Sequence, residues 1–193
     1  MINFEDRLQE LNRALNNCEV YSNKKICLND SIDSAIKIIK GVKDTKRNLF
    51  IIGNGGSSGI ASHAANDFIN MCQIRSITFH DISVLTCLTN DYGYENAFSR
   101  LIENFSEDGD CLIAISSSGN SPNIINAVNQ FKKKHNKNNI ITLSGFDKKN
   151  KLINLGVINF WIDSKSYGIV EISHQFLLHF LADSIYFQQK NES

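Results

Sequence analysis

The chain has 193 residues, of which 42% are hydrophobic and 21% are charged. This composition is ordinary for a soluble globular protein and excludes the disordered and fibrous classes. Twenty Lys and Arg balance twenty Asp and Glu, so the positive charge typical of nucleic-acid-binding proteins is missing and we expect no nucleic-acid partner. We predict a single domain over 1–193, with a helix pair in 1–45 and an α/β core in 46–193.

The beginning of the chain and its hydropathy predict a cytoplasmic protein. Residues 1–6 are acidic and lack the apolar segment of a signal peptide. No apolar run approaches the length of a membrane span, so we expect no membrane partner. None of the five cysteines belongs to a C-x-x-C pair, and we predict reduced structural thiols rather than a disulfide or a soft-metal site. They are Cys18, Cys27, Cys72, Cys87 and Cys111.

Apolar residues at helical spacing predict two helices before the first strand. The first helix is predicted over about 4–20, on Leu8, Leu11 and Leu15. The second follows Asp30, the predicted cap. Its apolar positions are Ile32, Ala35, Ile36 and Ile39.

From residue 48 onward, short apolar strands alternate with segments of helix length. The predicted strands are 49–52, 75–79, 111–115, 139–143 and 157–162. This alternation predicts a doubly wound α/β fold, with a five-stranded parallel sheet and helices on both faces. Pro122 fits the first turn of a helix, and the run 132–134 of three lysines fits a helix end.

The last segment, 169–187, is too apolar for a helix with one exposed face. We predict that it forms a subunit interface together with the leading helix pair. The alternative is that the whole segment packs against its own sheet.

Two polar loops follow predicted strands. The Gly loop (53–58) has the sequence G-N-G-G-S-S, and the Ser loop (116–121) has the sequence S-S-S-G-N-S. Each is followed by a predicted helix, so each presents free backbone N–H groups and the positive end of a helix dipole. Such turns suit a phosphate or a polyhydroxylated ligand, and two of them in one domain predict a sugar phosphate.

The Gly loop differs from the common nucleotide motifs. Ser58 stands where a dinucleotide fingerprint has its third glycine. A P-loop is excluded because no Lys adjoins the serines. A turn without a ligand remains an alternative for either loop taken alone, but both loops end strands of a parallel sheet, where α/β proteins bind ligands.

The two loops, together with N-D-Y-G-Y-E-N at 90–96, resemble the SIS (sugar isomerase) domain family, and most closely its phosphoheptose isomerase branch. The resemblance covers nearly the whole chain. It implies that serines of the Ser loop hold the phosphate, namely Ser116, Ser117, Ser118 and Ser121. It also implies sugar contacts from Asn54, Gly55, Gly56, Ser57, Asn90 and Asp91. From the residues alone, Asn90 and Asp91 fit a turn or a helix cap equally well.

Titratable residues recur in two predicted helices. His63 and Asp67 are four residues apart and share one helix face, which suits a base and its partner, two metal ligands or a solvated surface. Glu171, His174 and His179 lie in the apolar last segment, where such groups are rarely buried without partners.

The resemblance implies that four of these groups bind one Zn²⁺ per subunit and transfer protons. They are His63, Asp67, Glu171 and His179. No nucleotide or redox cofactor is implied. Asp67 replaces a Glu of the branch, Glu171 a Gln, and Met71 a common Arg, so the substrate identity stays open.

The spacing of Glu171 and His179 limits how they act together. Eight residues of continuous helix separate them by about 12 Å. Either the helix begins after Glu171, or the two groups serve different parts of the site, or neighbouring subunits contribute. We therefore expect a homo-oligomer, a tetramer by resemblance, with Glu171 also contacting substrate. His80 and His135 are interpreted as structural or exposed.

The resemblance implies a ketose–aldose isomerase. It would convert sedoheptulose 7-phosphate to D-glycero-D-manno-heptose 7-phosphate for surface polysaccharides. Asp67 or Glu171 would be the base and His179 the acid, with a metal held partly by His63 as electrophile. The alternatives are a SIS-domain isomerase or binding protein for another sugar phosphate, and a non-enzymatic adaptor of DNA replication initiation.

Overall fold

The computed structural model of the chain describes residues 3–22, 24–135 and 139–192. The strands are β1 (Glu19–Ser22), β2 (Lys24–Ile26), β3 (Asn48–Ile52), β4 (Arg75–Ile77), β5 (Cys111–Ser116), β6 (Ile140–Gly145) and β7 (Ile158–Ile162). The helices are α1 (Phe4–Asn16), α2 (Leu28–Asp44), α3 (Gly56–Asn70), α4 (Ile82–Tyr92), α5 (Ala97–Phe105), α6 (Pro122–His135) and α7 (Tyr167–Glu192). Short 3-10 turns lie at Tyr94–Asn96 and Lys151–Asn154.

The described strands form one sheet in the order β2-β1-β7-β6-β5-β3-β4. Strands β3 to β7 pair in parallel, which confirms the five-stranded parallel core. Strand β1 pairs antiparallel with β7 on one side and with β2 on the other. The sheet therefore has seven strands, two more than predicted.

The hairpin β1–β2 corrects the prediction that only helices precede the first parallel strand. Its strands have four and three residues and contain mostly polar side chains, so they lack a clear apolar pattern. Pairing with the edge of β7, where Val20 lies opposite Phe160, is a tertiary effect that local periodicity does not report. The first helix consequently ends at Asn16, and Cys27 rather than Asp30 precedes α2 as its cap.

Alternate residues of each central strand face two different helical layers, because strand side chains have a period of two. Leu49 and Ile51 pack with α2, α3 and α7 on one face. Phe50 and Ile52 pack with α5 and α6 on the other face. This arrangement confirms the predicted doubly wound architecture.

The order of the strands creates a switch point between β3 and β5. The chain leaves β3 toward β4 on one side, whereas β5 lies on the other side of β3. Open α/β sheets bind ligands in the crevice at such a point. The Gly loop follows β3 and the Ser loop follows β5, so both loops flank this crevice.

Two smaller predictions are confirmed, because helix α6 begins at Pro122 and ends with the basic run. All five cysteines are free, and Cys27 and Cys87 are exposed. In the part of the chain that the structure describes, none of the helices combines the length and the hydropathy that a membrane span requires.

Candidate active site

The Ser loop encloses its hydroxyl groups at the end of β5. Ser116 and Ser117 are buried, and the hydroxyls of Ser116 and Ser121 lie 3.1 Å apart across the loop. The hydroxyl of Ser118 accepts a hydrogen bond from the backbone N–H of Asn120. Among the described residues, the buried Ser117 Oγ has no hydrogen-bond partner. A buried hydroxyl without a partner costs free energy, and a bound anion would relieve that cost.

The Gly loop leads directly into α3, and Gly56 is the first residue of that helix. A Cβ atom placed on Gly56 would lie 2.5 Å from Oε1 of Glu171. The carboxylate of Glu171 therefore rests against the start of α3, where the helix dipole favours negative charge. Any side chain at position 56 would displace it.

A cavity of about 140 Å³, the Ser pocket, opens between the two loops. Its volume is several times the roughly 30 Å³ that one water occupies in the liquid. Its lining includes Asn54, Ser57, Tyr167, Glu171 and four serines of the Ser loop. The structure thus brings the predicted phosphate ligands together with part of the predicted sugar ligands.

His63, Asp67 and His179 form a second group, the His–Asp trio, where α3 packs against α7. One ligand atom of each residue lies within 4.8 Å of the other two. Asp67 Oδ1 lies 3.7 Å from Nε2 of His63, and Asp67 Oδ2 lies 2.9 Å from Nδ1 of His179. The two imidazole rings meet edge to face, with centroids 4.9 Å apart.

The His–Asp trio fits a metal ion. Within the described residues, Asp67 Oδ2 is buried and forms no hydrogen bond, although His179 Nδ1 is only 2.9 Å away. Two ligands that face the same ion can approach each other closely without a hydrogen bond between them. Two imidazoles and a carboxylate are the ligands that Zn²⁺ prefers in catalytic sites, which keep a further position open. His63 is half-exposed, so an ion can enter from solvent.

Gln175 is a member of this site that the sequence analysis missed. Its side-chain nitrogen lies 2.7 Å from Nε2 of His179. This contact holds the imidazole ring of His179 in the orientation in which Nδ1 faces Asp67. The i,i+4 spacing of Gln175 and His179 within one helix was the available signal.

The Ser pocket and the trio lie at different places along the paired helices α3 and α7. Glu171 contacts the first residue of α3, whereas His179 contacts Asp67, eleven residues further along α3. Helix α7 is continuous from Tyr167, so the explanation that the helix begins after Glu171 is wrong. Glu171 is not among the residues whose ligand atoms cluster in the described chain.

The structure places the other candidate residues outside both groups. Asn90 and Asp91 are exposed in the last turn of α4 and hydrogen-bond to each other, outside the lining of the Ser pocket. Met71 is half-buried against the core at the end of α3.

The remaining histidines are embedded in the fold. His135 is buried against the hydroxyl of Ser106, and burial lowers the pKa of His135. His80 is half-buried, with Nδ1 3.2 Å from the Ser62 hydroxyl, and burial also lowers its pKa. His174 is fully buried, and its Nε2 lies 3.1 Å from the Ser144 carbonyl.

A larger cavity, of about 710 Å³, lies at the opposite end of the parallel strands, where β3 and β4 begin. Its lining includes Arg47 and Glu107, which form an ion pair with each other. We place the functional site at the switch point instead. The polar loops, the Ser117 hydroxyl without a partner and the His–Asp trio all lie around helices α3 and α7 and the Ser loop, away from this cavity.

Comparison with known proteins adds an independent observation. The model of the SIS domain matches residues 19–145, about two thirds of the chain. The chain belongs to the SIS domain family. Within the family it is similar to phosphoheptose isomerases. It is 34% identical to that of Fusobacterium nucleatum over 145 residues, which are 72% of this chain and 73% of the relative. It is 32% identical to that of Sulfurimonas denitrificans over 172 residues, which are 86% of each.

A solved structure has the same fold. The phosphoheptose isomerase of Neisseria gonorrhoeae superposes with a TM-score of 0.78, covering 94% of each chain at 24% identity. At this identity the likeness concerns the fold. This member of the SIS domain family thus has a Ser pocket and a His–Asp trio on one pair of helices.

Proposed function

We propose that the chain is a phosphoheptose isomerase, an aldose–ketose isomerase that converts sedoheptulose 7-phosphate to D-glycero-D-manno-heptose 7-phosphate. The observation that carries the proposal is the meeting of His63, Asp67 and His179 on the same helix pair that borders a pocket of serine hydroxyls, in a chain of this family. The curated relatives named above carry the name phosphoheptose isomerase.

The Ser pocket holds the phosphate group. Hydroxyls of Ser116, Ser117, Ser118 and Ser121 and the backbone N–H groups at the start of α6 supply the donors. Eight residues of α7 separate this end of the site from His179, a rise of about 12 Å. That length is of the order of an extended seven-carbon sugar phosphate, so the reacting end of the sugar is directed toward the trio.

Asp67 is the base and His179 is the acid. Asp67 removes a proton from C1 of the ketose, and the electron pair forms the enediolate while His179 protonates O2. Asp67 then returns its proton to C2 as O1 loses its own proton to His179. The sugar is oxidised at C1 and reduced at C2, and no redox cofactor is required. Glu171, beside the Ser pocket, binds a sugar hydroxyl.

Zn²⁺ is the metal that the trio would hold, through His63, Asp67 and His179. When bound, it would polarise the carbonyl and stabilise negative charge on the sugar oxygens. The proposal does not place Glu171 in the same coordination sphere within one chain. Asn90, Asp91 and the Glu171 of a neighbouring copy are candidates to complete the site.

A homo-oligomer, a tetramer by resemblance, is part of the proposal. Helix α7 exposes Ile172, Phe176 and Phe180 on its outer face. Because these side chains are already about half-buried, covering the rest is favourable by about 1 kcal/mol each. We place this assembly in the cytoplasm, where its free cysteines stay reduced, and assign its product to surface polysaccharide synthesis.

The proposal is tested by incubating the purified protein with sedoheptulose 7-phosphate, with and without added Zn²⁺, and following the aldose by NMR. We expect conversion that a chelator abolishes and Zn²⁺ restores. A six-carbon ketose 6-phosphate is the matched control, and we expect it to react much more slowly. Absence of turnover on the heptulose phosphate in the presence of Zn²⁺, or full turnover by His179→Ala, would show the proposal to be wrong.

A further inference from the structure

Three side chains from three segments meet beside the Gly loop. Asn54 Nδ2 donates to Asn123 Oδ1 at 2.9 Å, and Asn123 Nδ2 donates back to Asn54 Oδ1 at 2.8 Å. The hydroxyl of Tyr94 donates to the same Asn54 oxygen at 2.8 Å. Asn123 is only 2% exposed, so the paired amides are enclosed by protein.

These contacts determine what Asn54 can offer to a ligand. A side-chain amide has two lone pairs on its oxygen and two N–H groups. Both lone pairs of Asn54 are used, by Asn123 and by Tyr94, and one N–H is used by Asn123. One N–H of Asn54 is left, on a residue that lines the Ser pocket. Rotation of the Asn54 amide alone would bring like groups of Asn54 and Asn123 together and break both hydrogen bonds between them.

We propose that Asn123 and Tyr94 are positioning residues that hold Asn54 as a hydrogen-bond donor toward an oxygen of the sugar. This inference rests on the proposed function of the same pocket. Asn123 follows Ser121 with only Pro122 between them, so the amide pair also joins the Gly loop to the Ser loop. The donor to the sugar is thereby held at a fixed distance from the phosphate subsite.

Helix α6 supports the third member of the network as well. Asn126, one turn after Asn123, donates through its side chain to the backbone carbonyl of Glu95 at 2.9 Å. The 3-10 turn Tyr94–Asn96 is thus attached to the same helix that carries Asn123. The hydrogen bond between Asn126 and Glu95 lies outside the pocket, and it helps to direct the Tyr94 hydroxyl at Asn54.

Tyr94→Phe tests the inference, because it removes only a hydroxyl from a residue that is 48% exposed. We expect calorimetry to show about three- to tenfold weaker binding of sedoheptulose 7-phosphate, as for the loss of one neutral hydrogen bond. Binding of inorganic phosphate should not change. In the Asn54→Ala background the same substitution should have no effect, because Tyr94 acts through Asn54. Tyr92→Phe, in the neighbouring helix end, is the matched control and should leave both affinities unchanged.

The outcomes separate this inference from the proposed function. Equal weakening by Tyr94→Phe with and without Asn54, or equal loss of phosphate binding, overturns the inference even if the enzyme turns over. Coupling in the binding data without any turnover overturns only the proposed function. A wild-type protein that binds no sugar phosphate overturns both.

Discussion

Asp67 is the residue on which the proposed chemistry depends most. Its side chain is 13% exposed and faces an imidazole on each side, His63 from its own helix and His179 from α7. The shorter carboxylate, compared with the Glu of the resembling branch, still reaches both rings. Asp therefore suffices because α3 and α7 bring the imidazoles to it.

Asp67→Asn should lower kcat by about 10²- to 10⁴-fold, because the amide cannot accept the proton from the sugar. The fold should persist, since Asn has the same shape. The measurement is steady-state kinetics on sedoheptulose 7-phosphate, with circular dichroism as a check of folding. Asp183→Asn, at an exposed position of α7, is the control and should keep full activity. An Asp67→Asn enzyme with wild-type kcat would exclude Asp67 as the base.

Two glycines of the same segment should respond oppositely to alanine. A Cβ atom at Gly53 would lie 2.6 Å from the backbone oxygen of Ser57, whereas a Cβ atom at Gly59 meets nothing within 4 Å. Gly53→Ala should destabilise the protein by about 1–3 kcal/mol through this overlap. Gly59→Ala, inside α3, should stabilise it by about 0.5–1 kcal/mol. Denaturant unfolding measures the free energy of unfolding of both variants. Equal changes in the two variants would contradict the close contact between Gly53 and Ser57.

At the level of elements, α7 is fastened to the sheet by a buried histidine. Nε2 of His174 donates to the Ser144 carbonyl at the end of β6, and burial lowers the pKa of His174 to about 4. Nδ1 has no hydrogen-bond partner among the described residues. The folded chain therefore holds this imidazole neutral.

This burial makes the stability depend on pH. Above pH 6.5 His174 is neutral in both states, so its contribution is complete. Between pH 6.5 and about 4 the unfolded chain takes up a proton that the folded chain refuses, so the free energy of unfolding falls by about 3 kcal/mol. His174→Gln keeps a hydrogen-bond donor but does not titrate. Its free energy of unfolding should therefore not fall by this amount between pH 6.5 and about 4. The free energy of unfolding of both proteins is measured by denaturant unfolding at several pH values. The same dependence of this free energy on pH in both proteins would contradict the prediction.

The sequence predicted the elements whose pattern is local. The five parallel strands, the two loops and the start of α6 at Pro122 follow from apolar runs and turn residues. The hairpin β1–β2 could not be predicted in this way, because its strands are short and polar and depend on β7 for pairing. The contact of His179 with Asp67 was implied by the resemblance but could not be derived from the residues alone, since it depends on how α7 packs against α3. Gln175 and Asn123 were missed because ordinary polar residues gain their roles only through neighbours that are distant in sequence.

At the scale of the whole molecule, α7 leaves an apolar stripe uncovered. Phe176 and Phe180 stack on each other with ring centroids 6.5 Å apart, and they are 52% and 44% exposed. They border a groove of about 290 Å³ with Leu15 and Ile32 from the leading helices. The predicted cooperation of these segments in a subunit interface stays a prediction.

Phe176→Glu should prevent the proposed oligomer from forming, because a charge would replace apolar area that the proposed interface would bury. Sedimentation at fixed protein concentration should show a smaller mass, and the specific activity should fall if the neighbouring copy completes the site. Phe105→Glu, an exposed phenylalanine on the other helical layer, is the control and should keep the assembly. An unchanged mass for Phe176→Glu would exclude this stripe as an interface.

The lining of the Ser pocket has a consequence for the conditions under which such an enzyme works. Among the described residues that line it there is no Lys or Arg, and Glu171 brings a negative charge. Affinity for a phosphate group then depends on short-range hydrogen bonds and backbone dipoles, which salt screens much less than exposed charge pairs. Ionic strength should therefore hardly alter substrate affinity. Free inorganic phosphate, which lacks a sugar to reach Asn54, should compete weakly, so the proposed enzyme should work in a phosphate-rich medium.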